Sequence, residues 1–444
     1  MQSGMPLIDR FRRHLAGLGP IRGPAIVAVS GGPDSLALLD LLAATRDDHA
    51  LELIAAHVDH GISPSSAAVA QRVRAVAERY PFPFEMESLV LGTEATETHA
   101  RRARHAALRR IARRRGARII MMAHHADDQA ETVLMRALRG SGPAGLAGIR
   151  PVAAGIVRPL LPFRRAELTQ YLHERQVDWW IDPANTDPRH LRSWLRQRII
   201  PAIEERLPDL VSRLHDTAAH AARHSAAMDA VLDLLPGLDP RLEEGGISVA
   251  VPALAGYDSS LAEALLGALG RRVGCRLGLA QCRRLVRLAA GKRSGSRVPL
   301  GNGWQGEVAF GRLRVIGDPG RAPDPVSLSA GPRAVSWGGW QLSLTPARVP
   351  DRQERGAMTA WFPDGAPLTV RAAMPGDRLV PLGGSGHRRV VRCFQDARVP
   401  RSRRGAWPVF ALGEAIVWVP GVCRAASHIL PAGAEALRVD VTYG

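Results

Sequence analysis

The sequence predicts an α/β protein built on a doubly wound parallel sheet, followed by a helical middle domain and a small α+β C-terminal domain. Three observations carry this. Up to about residue 205, short apolar runs alternate with helical patterns, as in a parallel sheet wrapped by helices. The first run, Ala25–Val29, ends in a glycine turn, Ser30-Gly31-Gly32-Pro33-Asp34-Ser35, that opens the helical pattern Leu36–Leu42. Polar residues crowd at or just after the apolar runs, where the ligand crevice of such a sheet lies: Ser30, His57-Val58-Asp59-His60-Gly61 and His124-His125-Ala126-Asp127-Asp128.

The predicted strands are Ala25–Val29, Leu51–Val58, Phe84–Val90 and Arg118–Ala123, each a short apolar run. Between them, helical periodicity covers Ser35–Ala44, Ser66–Arg79 and the very basic Thr96–Arg115. A further helix starts after Ala123 and ends near Arg139, where Gly140 is a natural cap. From Leu207 to Gly291 the pattern is helical, with Glu244–Val251 as a short strand; from Val298 the texture turns to β. Asp318–Pro325 and Thr345–Gly356 read as linkers or exposed loops. The expected domains are 1–206, 207–330 and 331–444, the last with a compact part at about 368–443.

The 444 residues include 59 basic and 42 acidic ones, a net charge of +17. That excess favours a polyanionic partner, nucleic acid ahead of a membrane surface. Lys292 is the single lysine, so the basic charge is arginine, in keeping with a general Ala/Arg bias in composition. The four cysteines, Cys275, Cys282, Cys393 and Cys423, are widely spaced, which fits a reduced cytoplasmic protein with incidental thiols. Met1–Arg13 lacks the apolar core of a signal peptide, and no apolar run would span a bilayer.

In the Ser30–Ser35 loop the glycines allow a sharp turn and a close backbone approach to a ligand. Pro33 suits the first helical turn. The free N–H groups and the helix dipole then favour a phosphate. A glycine turn of this kind can also simply pack. The loop lacks the lysine of the GxxxxGK[ST] form.

Asp127, Asp128 and Glu131 cluster on the first turn of the helix after His124-His125. Acidic residues there suit the helix dipole. Two histidines and three acids at one strand tip exceed what capping needs, and such a cluster can hold Mg²⁺ or an amine. Zinc is disfavoured, because no cysteine is near. His57 and Asp59 close the second strand, either as polar residues that simply end a buried strand or, given their place at the crevice, as part of a ligand site. The arginines of Glu97–His105, Arg104 among them, form either a solvated basic face or an anion-neutralising one.

A turn at Asp182–Asp187 leads to a helix carrying Arg192 and Arg196. Near the C-terminus, Gly386–Arg392 and Val399–Arg404 include Arg388, Arg389, Arg401 and Arg404, with Phe394 and Trp407 interleaved. Arginines with aromatics suit RNA phosphates and base stacking. A soluble basic surface would look the same, and the net charge favours RNA.

The Ser30–Ser35 loop resembles the SGGxDS loop of the PP-loop ATP pyrophosphatases, with an adenine nucleotide alpha hydrolase-like fold. Taken in order, the motifs resemble the bacterial tRNA(Ile)-lysidine synthetases over nearly the whole chain. They are Ser30–Ser35, His57–Gly61, Ala100-Arg101 with Arg104, His124–Thr132, Arg139–Gly142 with Gly145–Gly148, Asp182-Pro183 with Asn185-Thr186, Pro375–Arg378, and Val399-Pro400 with Arg404 and Trp407-Pro408. Three positions depart: the family usually has Arg-Tyr at Arg104-His105, Glu-Asp at Ile181-Asp182 and Arg-Asn at Arg192-Ser193.

The resemblance implies that ATP, free L-lysine and a tRNA(Ile) with anticodon CAU combine, converting the wobble cytidine to lysidine. On that reading Ser30, Gly31, Gly32, Pro33, Asp34, Ser35, His57 and Asp59 bind ATP. Asp34 and Asp128 are the expected Mg²⁺ ligands, Asp34 being alternatively a lysine ligand. Arg104 and His124 face the α-phosphate, while Asp128 and Glu131 hold the lysine amino groups. Arg192, Arg196, Arg388, Arg389, Arg401 and Arg404 contact RNA. A homodimer is left open. One alternative is a tRNA 2-thiolase of the same superfamily; the cytidine-thiolating kind carries CxxC pairs in the catalytic domain, and here no cysteine precedes Cys275. Another is a non-catalytic RNA-binding protein, which would not need the cluster at His124–Glu131.

Overall fold

The computed structural model describes residues 5–59, 61, 66–89, 91, 96–180, 191–291, 293–318, 320–328, 333–351 and 357–444. His60, Lys292 and the Ile181–Asp187 turn with its Asp182-Pro183 motif lie outside the described residues. The chain divides into two compact units, Met1–Ala227 and Met228–Gly444.

The first unit holds a six-stranded sheet in the order β3-β2-β1-β4-β6-β5. Its strands are β1 (Gly23–Ala28), β2 (Leu51–Asp59), β3 (Phe84–Ser88), β4 (Ile119–Met121), β5 (Val152–Ala153) and β6 (Ile156–Val157). All pairings are parallel except that of β5 with β6. The central strands are apolar on both faces because helices cover both. Ala25 and Val27 join one core, with α1 (Leu7–Gly17), α2 (Pro33–Ala44) and α7 (Arg165–Glu174). Ile26, Ile54, Ile120 and Met122 join the other, under Ala107, Leu108 and Ile111 of α4 (Glu97–Arg114). α3 (Ser66–Ala77), α5 (Ala126–Leu138) and α6 (Pro143–Leu146) complete the wrapping, as the parallel-sheet reading expects.

Strand order reverses between β1 and β4, which is where such a sheet opens its crevice. Ser30 and His124 follow these two strands. The β5–β6 hairpin is too short for a periodic signal; its turn is Ala154-Gly155, both at positive φ. After α7 come α8 (Leu191–Trp194), a π-helical turn at Leu195–Ile199, α9 (Ile200–Glu204) and α10 (Leu210–Asp233), which spans the division between the units.

The second unit begins with helices Val251–Ala255, Ser259–Arg272 and Leu279–Ala290 on a five-stranded antiparallel sheet. Its strand Gly246–Ala250 falls within the predicted Glu244–Val251, and Arg297–Gly301, Trp304–Ala309 and Arg312–Gly317 fall where the texture turns to β. Arg241–Glu243 goes unread, because three residues before the turn at Gly245 are too few to show an alternation. A five-stranded and a four-stranded sheet share the core of the C-terminal part around Phe362, Phe410 and Trp418. Among the described residues, no helix is long and apolar enough to cross a membrane.

Candidate active site

The loop after β1 is held by its own hydroxyls. Ser30 N–H donates to Ser35 Oγ at 3.1 Å, and Ser35 Oγ donates to the Gly32 carbonyl at 2.9 Å. Trp180 N–H donates to the Gly31 carbonyl at 3.0 Å, pinning the loop from outside. Gly31 has φ +86°, and a Cβ there would lie 2.7 Å from Val73 Cγ2, so only glycine fits. Pro33 occupies the first turn of α2, and Asp34 follows it. Asp34 Oδ1 is buried without a hydrogen-bond partner. Its Oδ2 lies 3.5 Å from His125 Nε2.

His125 precedes α5 and is buried at the centre of an acidic pole. Nδ1 lies 3.4 Å from Asp127 Oδ2, and Nε2 lies 3.5 Å from Asp128 Oδ2. Burial disfavours its protonation, but Asp127, Asp34 and Asp128 override that and raise its pKa to about 10. Asp127 is further held by Arg165 N–H at 2.8 Å and Arg164 Nε at 3.1 Å. Burial opposes its ionisation, yet His125 and these donors keep its carboxyl well below the usual range.

Asp128 and Glu131 meet Arg192 and Arg196. Glu131 accepts from Arg192 Nε at 2.5 Å and Arg196 Nε at 2.6 Å. Asp128 Oδ1 accepts from Arg192 Nη2 at 2.8 Å, and its Oδ2 from His125 N–H at 3.2 Å. The structure therefore puts Arg192 and Arg196, read from sequence as RNA contacts, onto the acidic cluster. Glu131 has no exposed surface, and each of its oxygens accepts from an arginine.

His124 faces the opposite electrostatic neighbourhood. Burial, with Arg158, Arg101 and Arg192 nearby, lowers its pKa to about 3 although Asp128 opposes this. Its buried Nδ1 has no hydrogen-bond partner. His105 falls to about 4 through burial and then Arg104, Arg101, Arg109 and Arg158. Sequence reasoning misses Arg158, Arg164 and Arg165. Arg158 follows a two-residue strand, and Arg164 and Arg165 open a helix with no motif of their own.

His57 Nδ1 lies 2.8 Å from the Val29 carbonyl. A carbonyl only accepts, so this nitrogen carries the proton, and the buried ring ties β2 to the residue after the end of β1. Asp59 accepts from Gly61 N–H at 3.0 Å.

In the second unit Arg388, Arg389 and Arg401 are exposed, Arg388 paired with Asp396. Arg404 is half-buried and donates to the Val399 carbonyl at 2.9 and 3.0 Å, closing its own turn. Phe394 is fully buried, and Trp407 packs on Trp340 and Phe394. Phe394 therefore offers no ring for a base to stack on, while half-buried Trp407 carries the Arg403 guanidinium 5.5 Å from its ring centroid.

The pKa shifts set a pH profile. His105 and His124 are held neutral, so their stabilisation is present above 6.5 and is lost as pH falls toward 4 and 3. The depressed carboxyls of Asp127 and Asp128 are lost on the same acid side. His125 contributes fully below 6.5 and loses its stabilisation as pH rises toward 10. We expect the Tm of the intact protein to peak near neutrality and to fall by roughly 10 °C by about pH 4.5. A Tm that is flat or rising between pH 7 and pH 5 would contradict this placement of charges.

A family model described as a PP-loop domain matches residues 18–203, and one described as the TilS substrate C-terminal domain matches residues 368–441. Three relatives, each named tRNA(Ile)-lysidine synthase, align along most of the chain. The protein of Geobacter sulfurreducens is 33% identical over 446 residues, covering 93% of this chain and 92% of its own. That of Symbiobacterium thermophilum is 33% identical over 479 residues, covering 98% of each. That of Thermus thermophilus is 35% identical over 427 residues, covering 94% of this chain and 72% of its own.

Proposed function

Because the chain belongs to the tRNA(Ile)-lysidine synthase family, we propose that it uses ATP to join free lysine to the wobble cytidine of a CAU-anticodon tRNA(Ile), forming lysidine. Cytosine O2 is a poor leaving group. Its attack on the ATP α-phosphorus expels pyrophosphate and leaves an adenylated base. The lysine ε-amine then attacks C2, the C2–O bond breaks, AMP departs and the amine loses a proton.

The observation that carries this reading is the meeting of two unlike poles at the β1/β4 crevice. The Ser30–Ser35 backbone and the start of α2 cradle phosphate. Arg104 and neutral His124 face the α-phosphate, and the arginines there answer charge that grows during transfer. Asp34 and Asp128 attract the lysine amino groups on the acidic side. Glu131 acts by holding the two arginines, which yield to the incoming ammonium. Asp34 Oδ1, buried and without a hydrogen bond, is the acceptor best able to take the ε-amine proton.

That same oxygen would fit a Mg²⁺ otherwise held by phosphate oxygens, and it accepts the proton only when no ion is bound to it. Asp128 does not fit as a second ligand while both its oxygens are engaged. Bound there, Mg²⁺ would neutralise triphosphate charge.

Pyrophosphate release is the direct test. Release is expected only when ATP and a CAU-anticodon tRNA are both present. Protein that consumes no ATP in any combination would end this reading.

A further inference from the structure

The acidic pole is neutralised within the chain: four carboxylates, of Asp34, Asp127, Asp128 and Glu131, lie within ion-pair distance of His125, Arg164, Arg165, Arg192 and Arg196. Two arginines of the neighbouring basic pole are left without such a carboxylate. Among the described residues, Arg101 and Arg158 make no ion pair with a carboxylate. Arg158 follows β6, which pairs with β4 through Ile120–Ile156 and Met121–Val157. Its Nη1 donates to the Arg150 carbonyl at 2.8 Å, and its buried Nε has no partner. The buried Nδ1 of His124 is also without one.

We propose that Arg158, with Arg101 beside it, is a phosphate-binding residue of this site, contacting the polyphosphate of ATP where β4 and β6 end. The inference rests on the ATP reading above and extends it to a residue outside the glycine loop. β1, β4 and β6 are consecutive in the sheet. Adjacent strands lie about 4.8 Å apart, so β1 and β6 are separated by roughly 10 Å. A triphosphate seated at the loop and an arginine reaching from β6 can bridge that span.

Electrostatics point the same way. Arg101 is exposed and Arg158 half-buried; neighbouring cations repel one another, and the buried Arg158 Nε stays unsatisfied unless an anion answers it. Elsewhere in the same unit the chain supplies carboxylates for this purpose, as Glu131 does for Arg192 and Arg196. Here His105 and His124 stay neutral instead. A phosphate meets both needs, giving a planar guanidinium a bidentate partner.

The test is ATP binding to the full-length protein without tRNA, by calorimetry, for wild type, Arg158→Gln and Arg158→Lys. Arg158→Gln should weaken ATP about 10- to 100-fold, with a parallel rise in KM for ATP. Arg158→Lys should recover part of the loss. Retention of tRNA on filters in the absence of ATP should not change. A folded Arg158→Gln protein with ATP affinity within about twofold of wild type would make Arg158 a structural strut and overturn the proposal. So would a loss confined to tRNA retention, which would assign the residue to an RNA phosphodiester. If Arg158→Gln fails to fold, Arg101→Gln carries the same prediction. Wild-type protein that binds no ATP would instead remove the functional reading itself.

Discussion

Replacing Asp34 by alanine is expected to abolish lysine transfer, by about 1,000-fold or more, while tRNA retention on a filter stays near wild type. Asp34 sits on the first turn of α2, next to the phosphate-binding loop, with one oxygen facing protonated His125 and the other buried without a hydrogen bond, 3.9 Å from Arg165 Nε. It is the point where the loop meets the acidic pole. Its removal leaves the loop's serine hydrogen bonds intact, since Ser30, Gly32 and Ser35 make them without it. The fold should therefore survive. ATP would lose a means of placing its counter-ion, and the amine would lose its proton acceptor. Asn at this position keeps the shape and not the charge, and should be nearly as inactive. Lysine transfer by Asp34→Ala at more than about a tenth of the wild-type rate, a loss of under ~1.4 kcal/mol in the barrier, would refute the role assigned to it.

The second large effect falls on stability. Glu131→Gln should cost about 3 kcal/mol, which for a unit of this size lowers Tm by roughly 6 to 12 °C. Glu131 is fully buried and both its oxygens accept from arginines. The amide keeps the volume and removes the charge, leaving Arg192 and Arg196 with Asp128 alone. These arginines hold α8 and the π-helical turn against α5. That contact should loosen, which limited proteolysis near Arg196 would report. Equal thermal stability of Glu131→Gln and wild type would mean that packing, not charge, secures the segment.

Local features were legible in the sequence, and long-range pairings were not. The β1–loop–α2 unit can be read because glycine, proline and apolar periodicity all act within about a dozen residues. The acids at Asp127, Asp128 and Glu131 can be read for the same reason. Their arginine partners cannot, because Arg164, Arg165, Arg192 and Arg196 arrive 37 to 68 residues later along the chain. Only the folded sheet and α7–α8 bring them together. Arg158 was hidden by the brevity of β6, a strand of 2 residues. Phe394 misleads because an aromatic flanked by arginines looks the same in sequence whether it stacks on a base or fills a core.

His57 also makes a long-range contact that its place at a strand end does not reveal, a hydrogen bond across strands to Val29. His124 and His125, adjacent in sequence, separate into a neutral and a charged imidazole because opposite charges surround them. No pattern of neighbouring residues encodes that difference.

In the proposed mechanism one crevice first activates a pyrimidine with a nucleotide and then delivers an amine to it. Transfer of radiolabelled lysine to an anticodon-CAU tRNA(Ile) transcript reads both steps at once, with a GAU transcript as control. Label is expected on the CAU transcript alone, with AMP and pyrophosphate appearing in step with lysine consumed. A CAU transcript that stays unlabelled beside intact ATP and folded protein would show that the crevice does not perform this chemistry.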